Sequence, residues 1–319
     1  MSLKPAQEGK QYFQSGEFAK ALPLLQGAYA KGDAEAAYNL SMMYMQGLGV
    51  AADSNEAMKL LFYAAVRGWP QAQSNAGVAY ASGIGVEQSW TQAVKWWQRA
   101  AKAGMPDAQY NLGRALLEGS GVKQDFKTAK QWLGKASEQD VALAHYFLGS
   151  MYSRGLGVAK NHAAAFKLYE RAAEQGVDLA WSMMGLHYQM GMGVQQNLDA
   201  AQTCFEKSVA LGNNYATVYL RELLVCKQLI PLTQEMSAGD LSILEAIAKK
   251  GQSSAALTSP GSANYRFWSE LADLGWMQKG DAPEGVCAFS VTEKGLLGLD
   301  RFVAMLNASR KDGQKRGSP

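Results

Sequence analysis

The stretch AQSNAGVAYASGIGV, residues 72–86, decides the fold. In its counterpart 36 residues earlier, Ala36, Leu40 and Tyr44 stand at i, i+4 and i+8, one stripe of a helix. Gly83-Ile84-Gly85 breaks that helix, because glycine readily takes the left-handed conformation at a helix end. Val86 follows as an apolar plug. Three residues on, Ser89 carries an oxygen suited to capping a second helix, and Gln92 completes a capping box; Asp53 and Glu56 repeat the pattern. In the earlier copy the second helix carries Ala57, Leu60, Leu61 and Ala64 and stops at Gly68.

Working outward, G-x-G-V recurs at Gly47–Val50, Gly83–Val86, Gly119–Val122, Gly155–Val158 and Gly191–Val194, always 36 residues apart. Other columns keep step. Ala36, Ala72, Ala108, Ala144, Ala180 and Ala216 form one, and Ala21, Ala57, Ala93, Ala129, Ala165 and Ala201 another. Gly32, Gly68, Gly104, Gly176 and Gly212 form a third, in which Asp140 is the departure. Asp125, Asn161 and Asn197 continue the caps. Small columns let helices approach closely, so one antiparallel helix pair per 36 residues predicts an α-solenoid. We call the first helix of each pair A and the second B.

Composition narrows the function classes. The chain has 319 residues and a net charge of +3, too weak by itself to imply a polyanion partner. Its mean hydropathy is −0.20, and no apolar run suits a membrane span, so no membrane partner is expected. Met1–Pro5 lacks a hydrophobic signal region, and Cys204, Cys226 and Cys287 cannot make a dense disulfide frame; a cytoplasmic chain is expected. His145, His162 and His187 are the only histidines, without CxxC or HExxH, so no metal or cofactor is expected. No nucleophile elbow or phosphate loop occurs, and the chain reads as no enzyme. Trp96, Trp97 and Trp132 on B helices, and Cys204, read as core between repeats.

The unit A-x-x-x-L-G-x-x-Y-x-x-G-x-G-V…A-x-x-W-x-x-K-A-A-x-x-G resembles the Sel-1-like repeat, a relative of the tetratricopeptide repeat. Ala72, Gly77, Tyr80, Gly83, Gly85, Val86, Ala93, Trp96, Arg99, Ala100, Ala101 and Gly104 carry the match. Residues 1–32 then read as a tetratricopeptide-like capping pair, 33–212 as five repeats and 213–230 as a capping helix. What the resemblance implies is protein–protein interaction without chemistry: a scaffold or adaptor holding a partner peptide or protein segment on the concave face lined by A helices. The candidate residues there are Tyr38, Asn39, Asn75, Tyr110, Asn111, Arg114, Tyr146 and Trp181. An amide both donates and accepts, so stacked asparagines suit a peptide bond, and Arg114 suits a carboxylate. These same asparagines and tyrosines equally suit bonding and packing between adjacent helices.

The 36-residue phase stops after Ile230. Residues 231–308 read as helix, helix, hairpin, helix: Asp240 capping Leu241–Lys250, then Asn264–Leu274, strands at 276–279 and 286–291, and a last helix from Thr292 to Asn307. The run LGWMQK…FSVTEKG resembles a winged helix, with residues 309–319 a basic, disordered tail. That resemblance implies either protein contact, including pairing of two copies, or DNA binding through Arg266 and Lys279. Residues 231–319 hold ten basic and ten acidic residues, a poor balance for phosphate contacts. Scaffold is the first reading, and a transcriptional regulator with the solenoid as sensor is the alternative.

Overall fold

The computed structural model describes residues 5–233, 244, 256–258, 263–273, 277–280, 287–291, 299 and 301–308. The chain divides into two compact units, residues 1–160 and 161–319.

The first unit contains α1 (Pro5–Gln14), α2 (Phe18–Ala30), α3 (Ala34–Gln46), α4 (Ser54–Val66), α5 (Pro70–Ser82), α6 (Trp90–Lys102), α7 (Pro106–Glu118), α8 (Phe126–Glu138) and α9 (Ala142–Arg154). From α2 onward each helix has 13 residues, so every unit of the repeat presents the same two rods. Asp53, Ser89 and Asp125 cap α4, α6 and α8, each side chain accepting from backbone N–H groups of the first turn. The capping boxes do not close as the sequence predicts. The Asp53 amide donates instead to the Tyr44 carbonyl (2.9 Å) and the Ser89 amide to the Tyr80 carbonyl (2.8 Å), stitching the end of helix A to the start of helix B. Glu56, thereby released, pairs with Lys59.

The two glycines of each G-x-G do different work, as Gly119 and Gly121 show. Gly119 (φ +79°) ends α7, its amide bonded to the Ala115 carbonyl, and a Cβ there would meet only ordinary contacts. Gly121 (φ +69°) lies against the first turn of the preceding B helix, where a Cβ would stand 2.5 Å from the Trp90 carbonyl oxygen. A third glycine position serves packing within the pair. A Cβ at Gly113 would lie 2.7 Å from Leu133 Cγ, and one at Gly77 would overlap the Trp97 indole. Trp97 is accordingly buried within its own repeat. Trp96 and Trp132, expected in the core, are only half-buried, because long basic side chains cover their outer faces.

Asp140, the departure from the glycine column, keeps a positive φ of 62°, which a short polar residue tolerates. Its carboxylate accepts from Nε2 of the fully buried His145 (2.9 Å), whose Nδ1 accepts from the Ser137 hydroxyl (2.7 Å). His145 thus takes the place of Gln73 and Gln109, which bond the carbonyls of Ala65 and Ala101 at the ends of α4 and α6.

The second unit holds α10 (His162–Glu174), α11 (Asp178–Met190), α12 (Leu198–Ala210), α13 (Ala216–Thr233), β1 (Ala256–Thr258), α14 (Ala263–Asp273), β2 (Met277–Gly280) and β3 (Cys287–Val291). A Cβ at Gly185 would lie 2.5 Å from the Phe205 ring, the same close approach as in the first unit. Residues 301–308 are also helical. The strands pair antiparallel in the order β1-β3-β2. Strand β1 leaves no sign in the sequence, since three residues are too few to show alternation.

The capping helix expected over 213–230 is α13, which starts at Ala216 and runs past Pro231 to Thr233. Its Cys226 and Leu229 share one core with Leu244, Phe267, Trp268, Leu271, Met277, Leu299, Phe302, Met305 and Leu306. The Gln196 amide reaches the Met305 carbonyl (2.9 Å), and Arg301 pairs with Glu222. The C-terminal module is therefore fused to the last repeats through a common core. Asp240, residues 281–286, Thr292 and the tail 309–319 lie outside the described residues.

Candidate functional site

The A helices of the first unit carry seven of the eight partner-binding candidates. Sequence spacing places Tyr38, Asn39, Asn75, Tyr110, Asn111, Arg114 and Tyr146 on α3, α5, α7 and α9. Their partners lie largely within the protein. Asn75 Nδ2 donates to the Tyr38 hydroxyl across neighbouring A helices (3.4 Å), and Asn39 is 7% exposed, facing α1. Tyr110 is 8% exposed and packs on Phe147 (5.9 Å between rings), which also meets Tyr146 (5.2 Å). Burial pushes the Tyr110 phenol above its ordinary value, with the nearby Arg114 charge opposing. Asn111 is half-buried.

The next column, three residues beyond each asparagine, holds the exposed Val78 and the half-buried Met42 and Arg114. Met42 and Val78 line a pocket of ≈170 Å³ together with Met45, Met58, Asn75 and Ile84. Its rim is apolar and exposed: Met45 is 40%, Val78 41% and Ile84 55% accessible. One helix further, the half-buried Arg114 lies over the Tyr110 ring (5.8 Å) and forms no ion pair among the described residues; its Nε is buried. Methionine adapts its shape to differing apolar ligands, so this pocket suits a protein side chain rather than one rigid small molecule. Ile84 and Met45 were missed in the sequence. The signal for Ile84 is a large apolar residue between two turn glycines, where solvent rather than core is the neighbour.

Trp181 belongs to the second unit, half-buried with Lys207 Nζ 4.3 Å above its ring. Arg266 and Lys279 fall on α14 and β2, and their side chains lie outside the described set. The described side chains of α14 turn Phe267, Trp268 and Leu271 inward and expose Glu270 and Asp273.

Among the described residues, Cys204 and Cys226 are poor nucleophiles. Burial pushes the Cys204 thiol up to about 11 and that of Cys226 to about 12. Both should react with a disulfide reagent at pH 8 at least ~100-fold more slowly than an unhindered cysteine, because the thiolate is the attacking form. Rapid modification of either in the folded chain, read by mass spectrometry, would contradict this burial. Among the described residues, no group of three or more histidine, cysteine or acidic side chains is placed to hold a metal ion, and no helix is long and apolar enough to cross a membrane.

Comparison with known proteins bears on the repeats. The family model described as Sel1 repeat matches residues 34–68, 70–105, 106–141, 142–177 and 182–213, more than half of the chain. A Sel1 repeat protein from Oxalobacter formigenes is 26% identical with a TM-score of 0.62, the match covering 79% of this chain and 90% of that one. A protective antigen present in uropathogenic Escherichia coli strains, displaying an SLR fold, is 31% identical with a TM-score of 0.61; 85% of this chain and 61% of that one are covered. This chain thus spans about three fifths of the second relative's length. No curated protein matches.

Proposed function

The chain belongs to the Sel1 repeat family, whose solenoid fold is generally a protein-interaction scaffold, and from this we propose that it is a non-enzymatic adaptor holding a protein segment on the A helices of its first unit. The observation that carries the reading is the exposed methionine pocket between α3 and α5; one helix on lies Arg114, which forms no ion pair among the described residues. An apolar partner side chain fills the pocket, and a partner carboxylate meets the guanidinium. The asparagines are assigned a supporting role, since Asn75 already bonds Tyr38.

The test is co-purification of the partner from the source cell, followed by a binding titration with the purified pair. Val78→Glu with Ile84→Glu alters exposed positions and should weaken capture about tenfold or more, while the helical signal stays intact. Asn75→Ala should leave capture within about twofold and lower stability by about 1 kcal/mol. The opposite pattern, with Asn75→Ala abolishing capture and the charged pair neutral, would move the site onto the asparagine column.

For the C-terminal module we infer a winged-helix-type arrangement, a reading supported by the strand order β1-β3-β2 with α14 between β1 and β2. Its acids Glu270 and Asp273 on the exposed side of α14 favour protein contact over duplex binding.

A further inference from the structure

The B helices of the first unit carry a second surface. Lys95, Arg99 and Lys102 on α6, and Lys127, Lys130 and Lys135 on α8, stand against a single carboxylate within these helices, Glu138. All but the half-buried Lys130 are exposed. Among the described residues none of the six forms an ion pair; Lys10, Lys20 and Lys59 of the unit do, while Lys31, Arg67, Lys123, Arg154 and Lys160 do not. The two helices lie side by side, tied at both ends. The Gln139 amide after α8 donates to the Gly104 carbonyl after α6 (3.1 Å), and the Gly121 loop before α8 rests on Trp90 at the start of α6.

The charges are also patterned. Arg99 lies 4.7 Å above the Trp96 ring, and Lys135 lies 4.6 Å above Trp132. These pairs are 36 residues apart, so one cation–tryptophan unit is presented twice at the same place in successive repeats. Each ring holds its cation in a defined position, which lowers the ordering cost of pairing it with an incoming anion. Beside them a depression of ≈600 Å³ is lined by Lys130, Gln131, Lys135, Leu148 and Tyr152, with the one carboxylate, Glu138, at its edge.

We propose that this basic face docks an acidic protein segment, its carboxylates pairing with the Arg99 and Lys135 columns and a neighbouring apolar side chain entering the depression. Single-stranded nucleic acid needs free aromatic faces for base stacking, and here both tryptophan faces are taken by cations. A membrane surface needs apolar side chains that enter the lipid, but the exposed positions between the cations are Thr91, Gln92, Gln98 and Gln131. This site is separate from the A-helix pocket and stands or falls without it.

The test uses the full chain and a fluorescent glutamate-rich peptide, with a single-stranded oligonucleotide, a DNA duplex and phosphatidylserine vesicles as competing probes, at about 50 and about 300 mM salt. The peptide should bind at low salt and weaken about tenfold or more at high salt. Arg99→Glu with Lys135→Glu should abolish binding, and Lys95→Gln with Lys102→Gln should weaken it about threefold or more. Reversing the same number of charges at Lys20 and Lys59 should change it by less than about twofold. Peptide binding unaffected by the Arg99/Lys135 reversal, or lost equally with the Lys20/Lys59 reversal, overturns the proposal. So does tighter binding of either nucleic acid or of the vesicles.

Discussion

Replacing Gly121 by alanine is expected to lower the unfolding free energy by roughly 3–5 kcal/mol, while the same change at Gly119 costs about 1–2. Both residues have positive φ, so both substitutions incur the left-handed penalty for a side chain. They differ in what the new methyl group meets. At Gly119 it finds contacts at 3.5 Å or beyond, whereas at Gly121 it strikes the backbone of Trp90 and Thr91. Main chain at a helix start cannot swing aside as a side chain can, so the loop must lift off α6. Urea denaturation of the two variants gives the comparison. Equal losses would show that conformation alone dictates the second glycine.

The second large effect is an acid-sensitive second unit. His187 is 2% exposed, and its Nδ1 donates to the Met192 carbonyl at 2.7 Å. The rings of His162, Phe166 and Tyr169 surround it. Burial lowers its pKa from 6.5 to about 4; the Met192 bond works against that shift and the His162 charge adds to it. A base whose folded pKa is depressed binds its proton more readily when unfolded. Stability is therefore whole above pH 6.5 and falls as the pH drops towards 4, by roughly 3 kcal/mol from this group. His187→Gln should be less stable than the parent near pH 8 and lose less between pH 7 and pH 4, as the difference in denaturation midpoints would show. Parallel pH profiles would mean that His187 is protonated without penalty.

The period was legible because it is written in local chemistry. Asp53, Ser89 and Asp125 cap helices through their own first turns, and neighbours in sequence are neighbours in space. The capping-box return was misjudged because the cap amide finds the Tyr44 or Tyr80 carbonyl across the loop, a partner that only the folded pair supplies. The asparagines Asn39, Asn75 and Asn111 stand on α3, α5 and α7. Which neighbour each amide serves depends on the adjoining helix, and Asn75 turns to Tyr38. Likewise a B-helix tryptophan looks like core by type, yet Trp97 meets a glycine and is buried while Trp96 meets Arg99 at the surface. The fusion of α13 with the C-terminal module could not be read from periodicity, because its core joins Cys226 and Leu229 to residues from Leu244 to Leu306, beyond the reach of any repeat.

Four of the second glycines, Gly49, Gly121, Gly157 and Gly193, seat their loops on the start of the B helix of the repeat before, whereas Gly85 meets the Met58 side chain of α4. The last such helix, α12, has no further G-x-G behind it. Its Leu198 is instead packed against the C-terminal core, and Asp199 is held by Lys227 of α13 at 2.7 Å. A seat left empty would be a sticky end, ready to accept the loop of another molecule and propagate a fibre. In α12 the start of the first turn is instead covered by side chains of the same molecule, Lys227 of α13 and the apolar core around Leu198.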